Sequence, residues 1–417
     1  MAKRKSARIG SRQRGKGTYA VVVGTCDTKG EDLRFVKGLL AAAKIPVKLV
    51  DVGTKSKDKS VDVSAAQVAA NHPKGASAVT NHTDRGGAVA AMSEAFEAFV
   101  GKHNGEISGM IGLGGSGNTT LVTSGMRRLP IGIPKIMVST VASGNVAPYV
   151  GPNDIAMLYS VVDVAGINSI SRRVLGNAAN MLVGALRFKI PLAKGADKPA
   201  IGLTMFGVTT TCVDLVVDAL KDQYECFVFH ATGTGGQTME KLADSGQLIG
   251  VIDATTTEVA DLLMGGVMSA GEGRLDAIIR TKIPYVGSCG ALDMVNFGGM
   301  ETVPDKYKKR KLHVHNAQVT LMRTTPEENR AMGEWIGNKL NQMNGPVRFL
   351  IPEKGVSVID VEGAPFHDSN ADAELFDSLE RTVTQTKNRK LIRLPYAIND
   401  PEFAAALVSN FKDIVEV

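Results

Sequence analysis

The sequence predicts an α/β fold of two Rossmann-like, doubly wound domains with mostly parallel sheets. Three observations carry this reading. Short apolar runs alternate with helical stretches of about 10–15 residues, the pattern of successive βαβ units. The alternation breaks once, at Ile190–Pro199 (IPLAKGADKP), and then restarts. A chain of 417 residues with 44% hydrophobic content can bury two cores, and 45 glycines against 5% aromatics suit layers joined by tight loops.

In the first half, TYAVVVG (18–24) is expected as a strand. Leu33, Val36, Leu39 and Leu40 then share one face of a helix expected over Gly30–Ala43. PVKLVDV (46–52) is the second expected strand, followed by helical patterns over 62–70 and 87–103. Ile107–Gly112 is an apolar run ending in a Gly cluster, with a helix expected from Gly117–Asn118 to Arg128. KIMVS (135–139) reads as a strand and 166–188 as a long helix. After the break, strands are expected at Ala200–Phe206, Glu225–His230, Leu248–Asp253, Ile283–Ser288, Val347–Ile351 and Leu391–Pro395. Helices are expected at Thr209–Asp222, Glu258–Met264, Glu327–Gln342, Ala371–Thr384 and Pro401–Phe411. The expected domains are therefore 18–195 and 196–417, facing one another over a cleft, with a disordered basic tail at 1–17.

The net charge of +6 suggests a polyanionic partner, but its distribution argues otherwise. Lys3, Arg4, Lys5, Arg8, Arg12, Arg14 and Lys16 fall in a tail without acids, which leaves the other 400 residues at −1. The run KYKKRK (306–311) is short and reads as a solvated loop, so nucleic acid is not the expected partner. No apolar run is long enough for a membrane span, and the N-terminus has no secretory apolar segment. Cys26, Cys212, Cys226 and Cys289 are scattered without a C-x-x-C pair. A reduced, cytoplasmic protein without a cysteine zinc site is expected.

Chemistry is expected at the Gly-rich loops. Gly114, Gly115 and Gly117 in IGLGGSGNTT (111–120) follow a strand and open a helix. Without side chains they let a phosphate approach the helix-start amides, with Ser116, Asn118 and Thr119 adding donors. Gly112, Gly114 and Gly117 also spell G-x-G-x-x-G, but a dinucleotide site wants an acid about 20 residues on. Residues 107–153 contain no Asp or Glu, which disfavours NAD and suits a phosphate-rich ligand. In GTCDTKG (24–30), Lys29 precedes Gly30, so the loop is not a Walker loop. Thr25, Thr28 and Lys29 can still hold phosphate there and Asp27 its Mg2+; equally, Asp27 and Thr28 can cap the following helix. In NHTDRGG (81–87), Asp84 is either an N-cap or a site carboxylate, and Arg85 is either solvent-facing or phosphate-pairing. Asp51 or Thr54 can reach a ribose or base. His72 and His103 read as surface helix residues, and His313 and His315, two apart in one expected strand, are not expected to form a metal pair. His230 ends a strand before a second Gly-rich loop, Gly233–Gly236. Asp253 and Glu258 flank another strand end, where capping is an equal explanation.

At these loops the chain resembles a known family. GTCDTKGEDL (24–33), HTDRGG (82–87), IGLGGSGNTT (111–120), VSTVASGNVAPYVG (138–151), DATTTEVAD (253–261) and HNAQVTLMRTT (315–325) occur in that family's order. The family is that of the ATP-binding N-terminal domain of the tomato mosaic virus resistance protein and its uncharacterised bacterial and fungal relatives. The resemblance spans Tyr19 to Val417. It implies two Rossmann-like subdomains and an ATP site in the first. Carried over by loop, that site uses Gly24, Thr25, Asp27 and Thr28, then Thr83, Asp84, Arg85 and Gly86, and then Gly114, Gly115, Ser116, Gly117 and Asn118. The plant protein continues into a barrel domain for which this chain has no room, so its antiviral role is not carried over.

The resulting expectation is a homodimeric, cytoplasmic ATP-binding protein with Mg2+ brought by the nucleotide. The alternative is a transferase or hydrolase acting on a small metabolite in the cleft, with His230, Asp27 and Asp253 as acid/base candidates. A nucleotide-gated protein partner is a third possibility.

Overall fold

The computed structural model describes residues 17–82, 84–188, 190 and 198–415. They fall into two compact units, 17–190 and 198–415. The expected tail and most of the expected linker lie outside the described residues.

The N-terminal unit runs β1 (Tyr19–Gly24), α1 (Cys26–Ala42), β2 (Val47–Asp51), α2 (Ala65–Ala69), α3 (Ser77–Thr80), α4 (Arg85–His103), β3 (Ile107–Gly114), α5 (Ser116–Met126), β4 (Lys135–Ser139), α6 (Ala147–Val150), β5 (Ile155–Tyr159) and α7 (Ser169–Arg187). Its five strands are all parallel, in the order β2-β1-β3-β4-β5. The period-2 alternation of a strand explains the two-sided packing. Val21 and Val23 enter one core with Phe96 and Leu121, from α4 and α5. Ala20 and Val22 enter the other with Leu33, Leu40 and Leu182, from α1 and α7. Because β2 and β3 lie on opposite sides of β1, the winding reverses between β1 and β3. Such a switch point opens a crevice at the carboxyl ends of the strands.

The C-terminal unit runs β6 (Ala200–Met205), α8 (Thr210–Leu220), β7 (Glu225–His230), α9 (Thr234–Asp244), β8 (Gly250–Thr255), α10 (Glu258–Met264), α11 (Asp276–Thr281) and β9 (Tyr285–Gly290). There follow β10 (Met294–Phe297), β11 (Leu312–Asn316), β12 (Val319–Arg323), α12 (Pro326–Gln342), β13 (Val347–Pro352), α13 (Ser369–Thr382), β14 (Arg389–Leu394) and α14 (Pro401–Val415). Its parallel sheet has the order β14-β13-β9-β8-β6-β7, which repeats the winding of the N-terminal unit with one strand added. Strands β10, β12 and β11 form a separate antiparallel sheet.

Several elements differ from expectation. Helix α1 begins a full turn early, at Cys26, because Thr25 is extended and serves as its N-cap. The pattern over 62–70 yields only Ala65–Ala69, started by a Ser64–Gln67 capping box. Strand β5 was not expected; it is a half-exposed edge strand without strict alternation. Strands β10 and β12 were also missed, since short antiparallel runs interrupt the βαβ rhythm. His72 is buried rather than on the surface: its Nε2 lies 3.1 Å from the Glu94 carboxylate, and its Nδ1 accepts the Lys74 amide.

Candidate functional site

In the N-terminal unit the β1–α1 and β3–α5 junctions lie side by side at the switch point. The buried Asp51, at the end of β2, braces the first of them: one oxygen accepts the Cys26 amide at 3.0 Å and the Gly53 amide at 2.9 Å. Thr25 Oγ1 lies 2.8 Å from Thr28 Oγ1 on the exposed rim of this turn. Asp27 projects outward, and burial, then the neighbouring Asp51, raises its carboxyl above the usual range. Burial pushes the Cys26 thiol up to about 12, so it is no nucleophile.

At the second junction Gly114 holds φ +150°, a conformation side chains rarely adopt. A Cβ there would also sit 2.7 Å from that of Asn118. The Asn118 amide donates to the Leu113 carbonyl and packs beneath Gly24, tying the ends of β1 and β3 together. Its Oδ1 is buried without a partner. Gly115 is the N-cap of α5, and no side chain caps this helix start. Its first turn carries no acid. The helix start is therefore an open set of amide donors at the positive end of the helix dipole.

The third loop resolves an ambiguity. Asp84 is the N-cap of α4, accepting the Gly87 amide at 2.7 Å, and this bond holds its carboxylate below the usual range. Arg85 and Gly86 are exposed. Thr83 lies outside the described residues.

These loops meet around one cavity of about 590 Å³. Thr25, Asp27, Thr28, Thr54, Asp84, Arg85, Gly115, Ser116, Gly117 and Asn118 line it. Gly24 and Gly114 lie buried behind the lining, where they admit Asn118. Sequence reasoning missed the apolar wall of Val52, Val79, Ala88, Val89 and Leu121. These residues look like ordinary core positions in one dimension. It also missed Asp163, which lies 3.9 Å from the Lys29 ammonium, while Lys29 donates to the Val164 carbonyl. The cations Lys29, Lys55 and Arg85 all border the cavity.

The C-terminal unit treats its corresponding loops differently. Gly233 and Gly236 present the amides at the start of α9, and Glu258 Oε1 accepts both, at 2.7 and 3.0 Å. An internal carboxylate thus fills the anion position, and Glu258 caps α9 rather than its own helix. Arg274, 1% exposed, donates to Glu258 at 2.8 Å and to Asp253 at 2.7 Å, with Glu240 at 3.6 Å. Burial opposes the guanidinium's charge, but these three carboxylates outweigh it and raise its pKa well above the usual value. Both Asp253 oxygens are occupied, by Arg274, Thr204 and Tyr285, and the residue has no exposure. His230 is exposed at the end of the edge strand β7, its ring 5.4 Å from that of Phe206.

Fold and site together define a class: a pair of doubly wound α/β units, the first with an uncapped helix start opening into a switch-point cavity. Among the described residues no helix is long and apolar enough to cross a membrane. Residues 18–191 match the N-terminal domain, and 198–415 the C-terminal domain, of the uncharacterised protein family UPF0261. The chain belongs to this family. A UPF0261 protein of Rhizobium meliloti (strain 1021) is 56% identical over 94% of this chain and 98% of its own length. One from Clostridium tetani (strain Massachusetts / E88) is 46% identical over 95% and 98%. The ToMV resistance protein Tm-1(GCR237) of Solanum lycopersicum is 44% identical over 94% of this chain but only 55% of its own length.

Proposed function

We propose that the N-terminal unit binds ATP as its magnesium complex. The observation that carries this reading is the uncapped start of α5, whose amides face a cavity at the β1/β3 switch point. In this reading the phosphates lie on the amides of Ser116, Gly117 and Asn118, with Thr25 and Thr28 on the opposite rim. Lys29 and Arg85 neutralise phosphate charge, Lys29 by exchanging the Val164 carbonyl for a phosphate oxygen. Asp27 faces the magnesium ion. The wall formed by Val79, Val89 and Leu121 offers an apolar surface to the base, and Thr54 a hydroxyl to the ribose. The choice of ATP among nucleotides rests on the family resemblance.

Isothermal titration of the full chain with Mg·ATP tests the proposal. One molecule is expected to bind per chain, with saturable heat. A folded protein at high micromolar concentration that gives no heat would refute it. A turnover assay on the same sample then separates nucleotide binding from transferase or hydrolase activity.

A further inference from the structure

A second cluster of ligating groups lies at the opposite end of the sequence from the nucleotide site. One ring nitrogen of His367 and one carboxylate oxygen each from Asp360 and Asp372 lie within 4.8 Å of one another. They converge from the β13–α13 loop and the first turn of α13, at the carboxyl edge of the C-terminal sheet. Ligands of open α/β sheets bind at this edge. Asp360 has no exposure and Asp372 is 6% exposed, so these are not solvated surface acids.

Among the described residues, Arg323 is the cation paired with these carboxylates, donating to Asp360 at 3.0 Å and to Asp372 at 2.7 Å. Asp293 adds a third carboxylate in the turn just before β10. It is fully buried. One Asp293 oxygen accepts the Ser357 hydroxyl at 2.8 Å, while the other is buried without a partner. A buried carboxylate oxygen without a donor is costly, and a cation removes that cost.

The histidine is prepared as a ligand. Its Nδ1 lies 3.1 Å from the Asp360 carbonyl, which can only accept, so Nδ1 carries the proton and Nε2 the free lone pair. Metal-binding imidazoles are commonly oriented by such a carbonyl contact. Arg323 also donates to the carbonyls on either side of His367, those of Phe366 at 2.6 Å and Asp368 at 3.4 Å. The backbone is thereby clamped, while the ring itself is exposed.

We propose that Asp360, His367 and Asp372 form a binding site for a first-row divalent transition metal such as Mn2+ or Zn2+, with Asp293 as the buried carboxylate behind it. A nitrogen donor beside carboxylates favours these ions over Mg2+. The metal balances the carboxylate charge that Arg323 leaves unmet.

The test is titration of the nucleotide-free full chain with Mn2+, following the electron paramagnetic resonance signal of the free ion. The wild-type chain is expected to remove one equivalent of free Mn2+, and Zn2+ to restore the signal by displacement. His367→Ala changes an exposed ring and is expected to keep the melting temperature of the metal-free protein while weakening Mn2+ binding at least tenfold. Asp27→Asn is expected to bind Mn2+ as the wild type does, which separates this site from any magnesium at the nucleotide cavity. A wild-type chain that leaves the free signal unchanged at millimolar Mn2+, a His367→Ala chain of unaltered affinity, or loss of binding in Asp27→Asn would each overturn the proposal.

Discussion

Gly115→Asp separates the two roles of the α5 start, because it should move stability and nucleotide affinity in opposite directions. Gly115 has φ −83° and ψ −170°, extended backbone that aspartate adopts without strain. A Cβ at this position would meet only Thr140 Oγ1, at 3.6 Å, so the side chain fits. As an N-cap the new carboxylate accepts the idle amides of the first turn and lies at the positive end of the dipole. Exchanging glycine for aspartate there is worth about 0.5–1 kcal/mol of stability. The same carboxylate occupies the phosphate position. Two like charges about 4 Å apart at an effective dielectric near 20 repel by about 4 kcal/mol, and solvent reduces this. A loss of about 2–4 kcal/mol corresponds to roughly 30- to 1000-fold weaker Mg·ATP binding. Gly115→Ala adds the Cβ without the charge and should bind within about threefold of the wild type. Urea denaturation and isothermal titration on the three proteins provide the readout. A folded Gly115→Asp chain with wild-type affinity would show that the phosphates do not sit on α5.

Three further outcomes follow from the packing. Gly114→Ala forces a side chain into φ +150° and against Asn118, so urea denaturation should show a loss of about 1–3 kcal/mol; an unchanged midpoint would mean that the turn relaxes freely. Arg274→Met removes the counter-charge of Asp253, Glu258 and Glu240, and leaving these buried carboxylates unpaired should cost about 3–5 kcal/mol by the same assay; a loss below 1 kcal/mol would refute that accounting. Burial, opposed by bonds from Asn296, raises the Asp261 carboxyl from 3.8 to about 7. Below pH 3.8 both folded and unfolded chains hold this proton; between 3.8 and about 7 only the folded chain does, so its stabilisation is lost as pH rises through that window. The loss is up to about 4 kcal/mol, read as the pH dependence of wild-type stability minus that of Asp261→Asn; parallel pH profiles would contradict it.

Much of the fold was legible because βαβ units leave a one-dimensional trace. KIMVS (135–139), Glu225–His230 and Glu258–Met264 have the bounds read from their apolar patterns. Strand β5 and the β10–β12 pairing left no such trace, since β5 is a half-exposed edge strand and β10 pairs with a strand more than twenty residues further along the chain. The Gly-rich loops were legible because a missing side chain at a strand–helix junction is a local property. What each loop does there was not. IGLGGSGNTT and the Gly233–Gly236 loop look alike in sequence, yet the amides of the first stay uncapped and those of the second are held by Glu258, a residue 22 positions beyond Gly236. Asp253 read as a catalytic candidate, but only the folded chain could bring Arg274, Tyr285 and Thr204 around it. His367 and Asp360 carried no local signal, because their meeting with Asp372 and Arg323 is made by a loop, the first turn of α13 and the end of β12. Residue type and spacing alone carried the layered α/β architecture, the glycine loops and the family. Which helix start is open, which carboxylates are neutralised and which lack a partner emerged only on folding. Burial and charge compensation depend on neighbours that the chain order does not contain.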